Sequence, residues 1–246
     1  MIKLSDWAEH VQVYESTPKP IRLLVYGEAG SGKTQFSLTA DNGFFIDTDR
    51  GLLTAVKMGV TPRFIALSKE DQVYRIVKSI LIGVRDSTGQ FADNPPNVLV
   101  IDSVSFLAEA ILWECMLHPI GKMTAKDPTN DKAEFDHWGI LQNRMKELLD
   151  ITKDLPCHVI ATAGVKMEED GIRGGWIIQP NLVGGIRNSI GHYFDEMFYM
   201  EPKGSGDRVK YVTYTARHGN AAAKSRTGRP AEIENLTFPK LLEVEK

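Results

Sequence analysis

Cysteine is scarce in this chain, in which Cys115 and Cys157 are the only two thiols. They form neither a Cys-x-x-Cys pair nor a Cys/His pattern, which excludes the common zinc and redox motifs. Two distant thiols fit a reducing compartment, so a cytoplasmic protein is expected. Long apolar runs are also missing, because no stretch approaches the ~18 residues of a membrane helix. Acidic residues among the first 20 positions further argue against a signal peptide, and no membrane partner is expected.

An excess of basic residues is absent too. The 29 Lys and Arg residues are outnumbered by 32 Asp and Glu residues, which gives a net charge of −3. A surface that attracts nucleic acid everywhere is therefore excluded, and any DNA-binding surface has to be local. The hydrophobic content of 42% suffices for one large core. We predict a short N-terminal arm at 1–20, which ends in a Pro-Lys-Pro segment, and a single domain at 21–246.

Short apolar segments alternate with segments of helical pattern along the chain. Buried strands are predicted at 21–26, 43–47, 97–102 and 158–162, and helices at about 33–40, 71–83, 103–117 and 135–155. This order predicts an α/β fold with a mostly parallel central sheet flanked by helices. Alternation in 196–200 and 208–215 adds a C-terminal β-hairpin region. The polar segment 118–133 and the glycine-rich segment 164–185 are predicted to be loops.

One motif carries the strongest functional signal. The segment Gly27 to Thr34 (GEAGSGKT) fits G-x-x-x-x-G-K-[ST] between a predicted strand and a predicted helix. Its glycines allow backbone N–H groups to converge on phosphates, Lys33 would reach the β- and γ-phosphates, and the Thr34 hydroxyl would bind Mg²⁺. ATP and Mg²⁺ are therefore the expected cofactors. The predicted nucleotide-binding residues are Gly27, Glu28, Ala29, Gly30, Ser31, Gly32, Lys33, Thr34 and Gln35.

Acidic residues at two strand ends complete the predicted site. Asp102 ends the apolar strand 97–102, and its carboxylate would hold the Mg²⁺ shell. The next residue is Ser103 and not Glu, so the catalytic base has to come from elsewhere. Asp49 follows the second strand at the same edge of the sheet and could orient or deprotonate the attacking water. Asp47 is the reserve candidate for this role.

Two of these segments resemble those of RecA-type recombinases. Residues 46–49 (IDTD), followed by Gly51 and Leu52, resemble the segment that carries the family's catalytic acid, and 100–104 (VIDSV) resembles its second motif. Asp49 takes the place of that acid, although the family usually has Glu there. Lys224-Ser225-Arg226 resembles the K-x-R element of RecA-core ATPases, including replicative hexameric helicases. The resemblance implies that Lys224 and Arg226 reach a neighbour's γ-phosphate, hence a homo-oligomer, ring or filament, with nucleotide at subunit interfaces.

The resemblance runs from about Pro20 to Arg229. A bare core with a short arm resembles the minimal phage-type single-strand annealing ATPases, which implies single-stranded DNA as partner, a role in annealing and recombination, and the host cytoplasm if a phage encodes the chain. A single-strand-binding protein is a further candidate partner. The family's two DNA-facing loops map to 118–133 and 164–185. The predicted DNA contacts are Lys166, Arg173, Trp176 and Arg187. One departure is that the fourth strand lacks the terminal Gln that senses the γ-phosphate in the family.

Three alternatives remain open from the sequence. A hexameric helicase or a helicase-loading ATPase would use the same core. A nucleotide-gated DNA-binding module with little turnover is compatible with the missing Gln. A small-molecule kinase needs an Arg-rich lid, and the segment 118–133 contains no Arg, which counts against it.

Overall fold

The computed structural model describes residues 19–118, 121, 123–169, 171 and 174–243, except for the side chain of Asp207. The predicted arm at 1–20 therefore lies outside the described residues, apart from Lys19 and Pro20. Within the described part, strands and α-helices alternate from Arg22 to Leu117. The division into an arm and one domain stays a prediction.

The chain forms eleven strands and six α-helices within the described residues. The strands are β1 (Arg22–Tyr26), β2 (Gly43–Asp47), β3 (Arg63–Ala66), β4 (Val98–Asp102), β5 (His158–Ala163), β6 (Val165–Glu169), β7 (Trp176–Pro180), β8 (Glu196–Lys203), β9 (Lys210–Tyr214), β10 (Lys224–Ser225) and β11 (Glu232–Glu234). The helices are α1 (Lys33–Ser37), α2 (Leu53–Met58), α3 (Val73–Asp86), α4 (Val104–Leu117), α5 (Phe135–Lys153) and α6 (Phe238–Glu243).

One sheet organises the fold, with strand order β3-β2-β4-β5-β1-β8-β9-β11. The first six strands in this order are parallel to one another. Strands β9 and β11 continue the sheet in antiparallel fashion, and β10 pairs with β8. The predicted mostly parallel sheet and the C-terminal hairpin, formed by β8 and β9, are both confirmed.

Apolar side chains project from both faces of the sheet. In β4, Leu99 and Ile101 belong to one core cluster, while Val98 and Val100 belong to a second. The first cluster packs under α3, α4 and α5, and the second under α1, α2 and α6. Because both faces are covered, the parallel strands appear in the sequence as continuous apolar runs rather than alternating ones.

Several regions differ from the sequence prediction. The segment 164–185 is not a loop throughout, because β6 and β7 form an antiparallel hairpin within it. Its strands carry charged residues such as Lys166, and only part of one face packs on the core, through Val165 and Ile178. This hides the strand pattern, which is clearest where one face is wholly buried. The sequence prediction also lacks helices α2 and α6 and strands β3, β10 and β11, each of which has six residues or fewer.

Candidate functional site

The glycine-rich segment forms a tight loop between β1 and α1. Gly30 and Gly32 have φ values of +79° and +92°, a backbone conformation that side chains other than glycine rarely adopt. A Cβ atom on Gly27 would lie 2.2 Å from the carbonyl oxygen of Met200, so glycine is required there as well. Glu28, Ala29, Gly30 and Gln35 are exposed, whereas Ser31 is buried. One side of the loop is therefore open, and a ligand can approach the backbone from that side.

Lys33 directs its ammonium group into the loop. Its Nζ donates hydrogen bonds to the carbonyl oxygens of Gly27 (2.9 Å) and Glu28 (2.8 Å). Burial lowers the pKa of Lys33, and this is opposed by the negative charges of Asp102, Asp49 and Glu28. A half-buried cation held inside a turn of glycines fits a polyanionic ligand, because phosphate oxygens would replace the carbonyl partners.

Two threonines hold the carboxylate of Asp102. Thr34 Oγ1 donates to one carboxylate oxygen at 2.8 Å, and Thr162 Oγ1 donates to the other. The Thr34 bond joins the start of α1 to the end of β4, although 68 residues separate the two side chains in sequence. Hydroxyl and carboxylate oxygens are the ligands that Mg²⁺ accepts alongside phosphate oxygens, so this pair fits the predicted metal site.

Thr48 fixes the end of β2 against the end of β4. Its hydroxyl accepts a hydrogen bond from the Ser103 N–H (3.0 Å) and donates one to the Ser103 carbonyl (2.8 Å). Asp47 and Asp102 are neighbours in the sheet register. The carboxylates that flank Thr48 in sequence are thereby brought to the same edge of the sheet as Asp102.

Asp47 and Asp49 differ in accessibility. Asp47 is buried, with 3% of its surface exposed, and accepts a hydrogen bond from the Gly51 N–H at 3.2 Å. Asp49 is exposed at the cleft and accepts from the same N–H at 2.9 Å. Partial loss of solvent raises the pKa of Asp49 to about 6, and the charges of Asp102 and Asp47 add to this shift. An accessible carboxyl with such a pKa suits a general base better than a buried one.

Lys224 and Arg226 lie at the other end of the sheet. Lys224 is paired with Met197 near the start of β8, and its Nζ donates to the Phe194 carbonyl at 2.8 Å. Arg226 has 57% of its side chain exposed and forms an ion pair with Asp195 at 3.2 Å. Asp195 in turn accepts a hydrogen bond from the N–H of Arg22, the first residue of β1. The glycine-rich loop follows Tyr26, the last residue of β1, and therefore lies at the opposite end of this strand.

This separation decides where the two cations can act. Five residues of extended strand span about 16 Å, which a Lys or Arg side chain does not bridge. Neither Lys224 nor Arg226 can therefore reach the loop of its own chain. If they serve a nucleotide, as the sequence predicts, that nucleotide has to be bound by a second copy. The turn that carries Arg226 is held by buried Glu196, which accepts hydrogen bonds from Thr227.

Two of the predicted DNA contacts, Lys166 and Trp176, lie on the β6–β7 hairpin, and a third, Arg187, lies beside it. Lys166 is exposed on β6 with its Nζ 2.8 Å from Glu168, and Arg187 also pairs with Glu168. Trp176 is 56% exposed at the start of β7. The structure thus brings Lys166 and Arg187 together around one carboxylate. The fourth predicted contact, Arg173, lies outside the described residues.

Ser105 ties the base of this hairpin to the start of α4. Its hydroxyl accepts from the Gly164 N–H (3.0 Å) and donates to the Asn181 carbonyl (2.6 Å), while Asn181 N–H donates to the Gly164 carbonyl (2.8 Å). Ser105 follows Asp102 by three positions, so the hairpin is anchored beside the predicted metal site. Sequence reasoning missed this link because hydrogen bonds between residues 76 positions apart leave no local pattern.

Other kinds of site find no support in the part of the chain that the structure describes. That part contains no group of three or more His, Cys, Asp or Glu side chains that could hold a metal ion. Among the same residues, no helix combines the length and apolarity needed to cross a membrane.

Comparison with known protein families identifies the family of this chain. A protein-family model described as an AAA domain matches residues 19–227, which include every element from β1 to β10. No curated protein matches the sequence. A solved structure titled as the crystal structure of the RadB recombinase is 13% identical, over 87% of this chain and 84% of that chain, with a TM-score of 0.47. That structural likeness is too weak to bear on function.

Proposed function

Because this chain belongs to the AAA domain family, we propose that it is an Mg²⁺-dependent ATPase that binds single-stranded DNA and promotes the annealing of complementary strands. The observation that carries the ATPase part is the cluster at one sheet edge. There, the glycine loop and Lys33 lie beside the Thr34–Asp102–Thr162 hydrogen-bonded group, with Asp49 exposed in the same cleft.

Each group in this cluster has a defined task. The loop N–H groups and Lys33 bind the β- and γ-phosphates, and Thr34 and Asp102 hold the cation. Mg²⁺ supplies neutralisation of the charge that develops on the phosphate oxygens. Asp49 orients the attacking water and accepts its proton. Thr162 holds the Asp102 carboxylate in place by a hydrogen bond, so that Thr34 and Asp102 can bind the same cation.

The position of Lys224 and Arg226 supports an oligomer. Both cations lie at the sheet edge opposite the loop, so we propose that they reach the γ-phosphate of a neighbouring copy. Arg226 suits this task because its guanidinium stays charged, can bond two phosphate oxygens at once, and is largely exposed here. Lys224 is half buried, and burial lowers its pKa. Ring and filament assemblies both satisfy this requirement.

Support for DNA binding comes from the β6–β7 hairpin. It leaves the sheet at the edge where the nucleotide would bind, and Ser105 anchors its base next to β4. Trp176 offers an exposed aromatic surface on which a base can stack. Lys166, Arg173 and Arg187 supply positive charge, of which Glu168 neutralises part. Stacking with Trp176, rather than a strongly basic surface, is therefore the main expected contribution.

The first test is ATP hydrolysis with and without single-stranded DNA. We expect turnover by the unaltered protein, stimulation by single-stranded DNA, and loss of both in Lys33→Ala, because that variant lacks the cation inside the loop. Lys240→Ala, which removes an exposed lysine of α6, is the matched control and should behave like the unaltered protein. Turnover that single-stranded DNA does not change would refute the DNA-binding part of the proposal. Turnover in Lys33→Ala equal to that of the unaltered protein would refute the proposed nucleotide site.

A second candidate is a nucleotide-gated DNA-binding module with little turnover. It is favoured by the end of β5, where Ala163 and Gly164 offer no side chain that could sense the γ-phosphate as Gln does in RecA-type proteins. The same assay distinguishes it. DNA binding that depends on ATP, together with negligible hydrolysis, would support the module. A helicase or helicase loader would instead require duplex unwinding or a partner helicase to stimulate turnover.

The pH profile of hydrolysis tests Asp49 as the base. Its protonated form cannot accept a proton, so we expect kcat/KM to fall below about pH 6, the pKa of Asp49. Asp47→Asn removes one of the negative charges that raise this pKa, so the acidic limb should move to lower pH. Asp86→Asn changes an exposed carboxylate on α3 and should leave the limb in place. A limb that Asp47→Asn does not move, or moves to higher pH, would contradict the assignment.

A further inference from the structure

The ring of Tyr211 packs against the start of α1. A Cβ atom on Gly32 would lie 2.7 Å from Cδ1 of Tyr211 and 2.8 Å from its Cγ. Gly32 is the residue before Lys33, so the tyrosine ring is in direct contact with the glycine-rich loop. Tyr211 lies on β9 and is half buried, so part of the residue is accessible to solvent.

Two hydrogen bonds fix the backbone of β9 at Tyr211. Its backbone N–H donates to Oδ1 of Asn235 at 3.1 Å, and its carbonyl accepts from the Asn235 N–H at 2.7 Å. The buried side of the ring packs on the cluster that contains Phe36 and Phe238. Among the described residues, no group forms a hydrogen bond with the phenol oxygen. A ring already packed against the core loses less side-chain entropy when a flat ligand binds to it than a freely rotating ring does.

The sheet order indicates which part of a nucleotide would reach this ring. Strand β4, with Asp102 at its end, lies two strands from β1 on one side, and β9 lies two strands from β1 on the other. The γ-phosphate has to point toward Asp102 and Asp49, where the metal ligands and the base are. The triphosphate then crosses the start of α1, and the nucleoside emerges on the side of β8 and β9, where Tyr211 lies.

We propose that Tyr211 is the stacking platform for the base of the bound nucleoside triphosphate. This inference rests on the proposed nucleotide site and adds the part that recognises the nucleoside. A base stacks on the face of a tyrosine ring without hydrogen bonds to its donor and acceptor groups, so every base can stack on it. The larger purines gain more contact than pyrimidines, and adenine and guanine should be bound with similar affinity.

Calorimetric titration of the full chain with Mg²⁺ and three ligands separates the ring from the loop. The ligands are ATP, GTP and inorganic tripolyphosphate, which has the phosphates without a nucleoside. We expect ATP and GTP to bind at least about tenfold more tightly than tripolyphosphate, in the range that alanine substitution gives for one stacked base. Tyr211→Leu keeps an apolar side chain against Phe36 but lacks the aromatic face. It should bind ATP and GTP about tenfold more weakly, with tripolyphosphate affinity unchanged.

Two further variants complete the experiment. Tyr211→Phe should retain the affinity for ATP, because the phenol oxygen has no role in stacking. Tyr193→Leu, which alters another half-buried tyrosine near the start of β8, should change none of the affinities. Equal weakening of ATP and tripolyphosphate in Tyr211→Leu would overturn the inference, since the ring would then only shape the loop. Unchanged ATP affinity would also overturn it. An unaltered chain that binds neither ATP nor tripolyphosphate would instead refute the nucleotide site.

Discussion

Replacing Arg226 with alanine is expected to lower ATP turnover of the assembled protein by about three orders of magnitude, the lower end of what a trans-acting arginine contributes to phosphoryl transfer. Nucleotide binding should be retained, because the loop and Lys33 lie at the opposite sheet edge. The physical reason is that charge spreading over the γ-phosphate oxygens needs a preorganised cation, and the exposed Arg226 of a neighbour can supply it. The measurement is steady-state hydrolysis beside equilibrium ATP binding.

Mixing two inactive variants distinguishes trans from cis action. Arg226→Ala has an intact loop, and Lys33→Ala has an intact Arg226, so mixed assemblies contain some complete sites and should recover part of the turnover. Arg226→Lys should recover little, since lysine lacks the planar guanidinium that bonds two oxygens. Arg85→Ala removes another exposed arginine, at the end of α3, and is the matched control. Normal turnover in Arg226→Ala, or no recovery in a mixture whose variants still assemble, would refute the assignment.

Asp49→Asn should have the next largest effect, a reduction of kcat by a factor of about 10² to 10⁴, which is the usual contribution of a positioned general base. Asparagine has nearly the same shape and can still accept the hydrogen bond of the Gly51 N–H. ATP binding should therefore persist, because the variant loses the proton acceptor and not the phosphate site. Single-turnover hydrolysis with saturating ATP measures this loss without interference from product release.

The matched variant is Asp47→Asn, which changes the neighbouring buried carboxylate. At neutral pH it should keep most of the turnover, because Asp47 is 3% exposed and has little access to water in the cleft. If Asp47→Asn abolished hydrolysis while Asp49→Asn had little effect, the base would be Asp47. If both variants turned over ATP normally, neither carboxylate would be the base, and the resemblance at residues 46–49 would be structural only.

The residues of the proposed nucleotide site could be identified largely from local sequence. Residues Gly27 to Thr34 are contiguous, so their spacing alone encodes a turn of glycines at the start of a helix. Asp102 and Asp49 could be added because parallel strands end at one edge of a sheet, and acids at those ends must lie near each other. The fold class followed from the same alternation of apolar strands and helices, which the structure confirms.

The contacts that organise this site could not be predicted in the same way. Thr34, Asp102 and Thr162 come from three separate elements, and only strand order brings them together. The β6–β7 hairpin was predicted as a loop, since its charged and exposed strands lack the periodicity of a buried face. Tyr211 gave no signal at all, because its importance lies in touching Gly32, which is far from it in sequence.

The sequence by itself therefore determined which groups the proposed site contains: a glycine loop with Lys33, acids at the ends of strands, and two C-terminal cations. Local backbone preferences and side-chain types suffice for these, because they act within a few residues. Only the tertiary structure decided on which edge each group lies. The register of β8 and β10 puts Arg226 about 16 Å of strand length from its own loop. Long-range pairing of strands, which no local pattern encodes, thus separates the two halves of the proposed catalytic site.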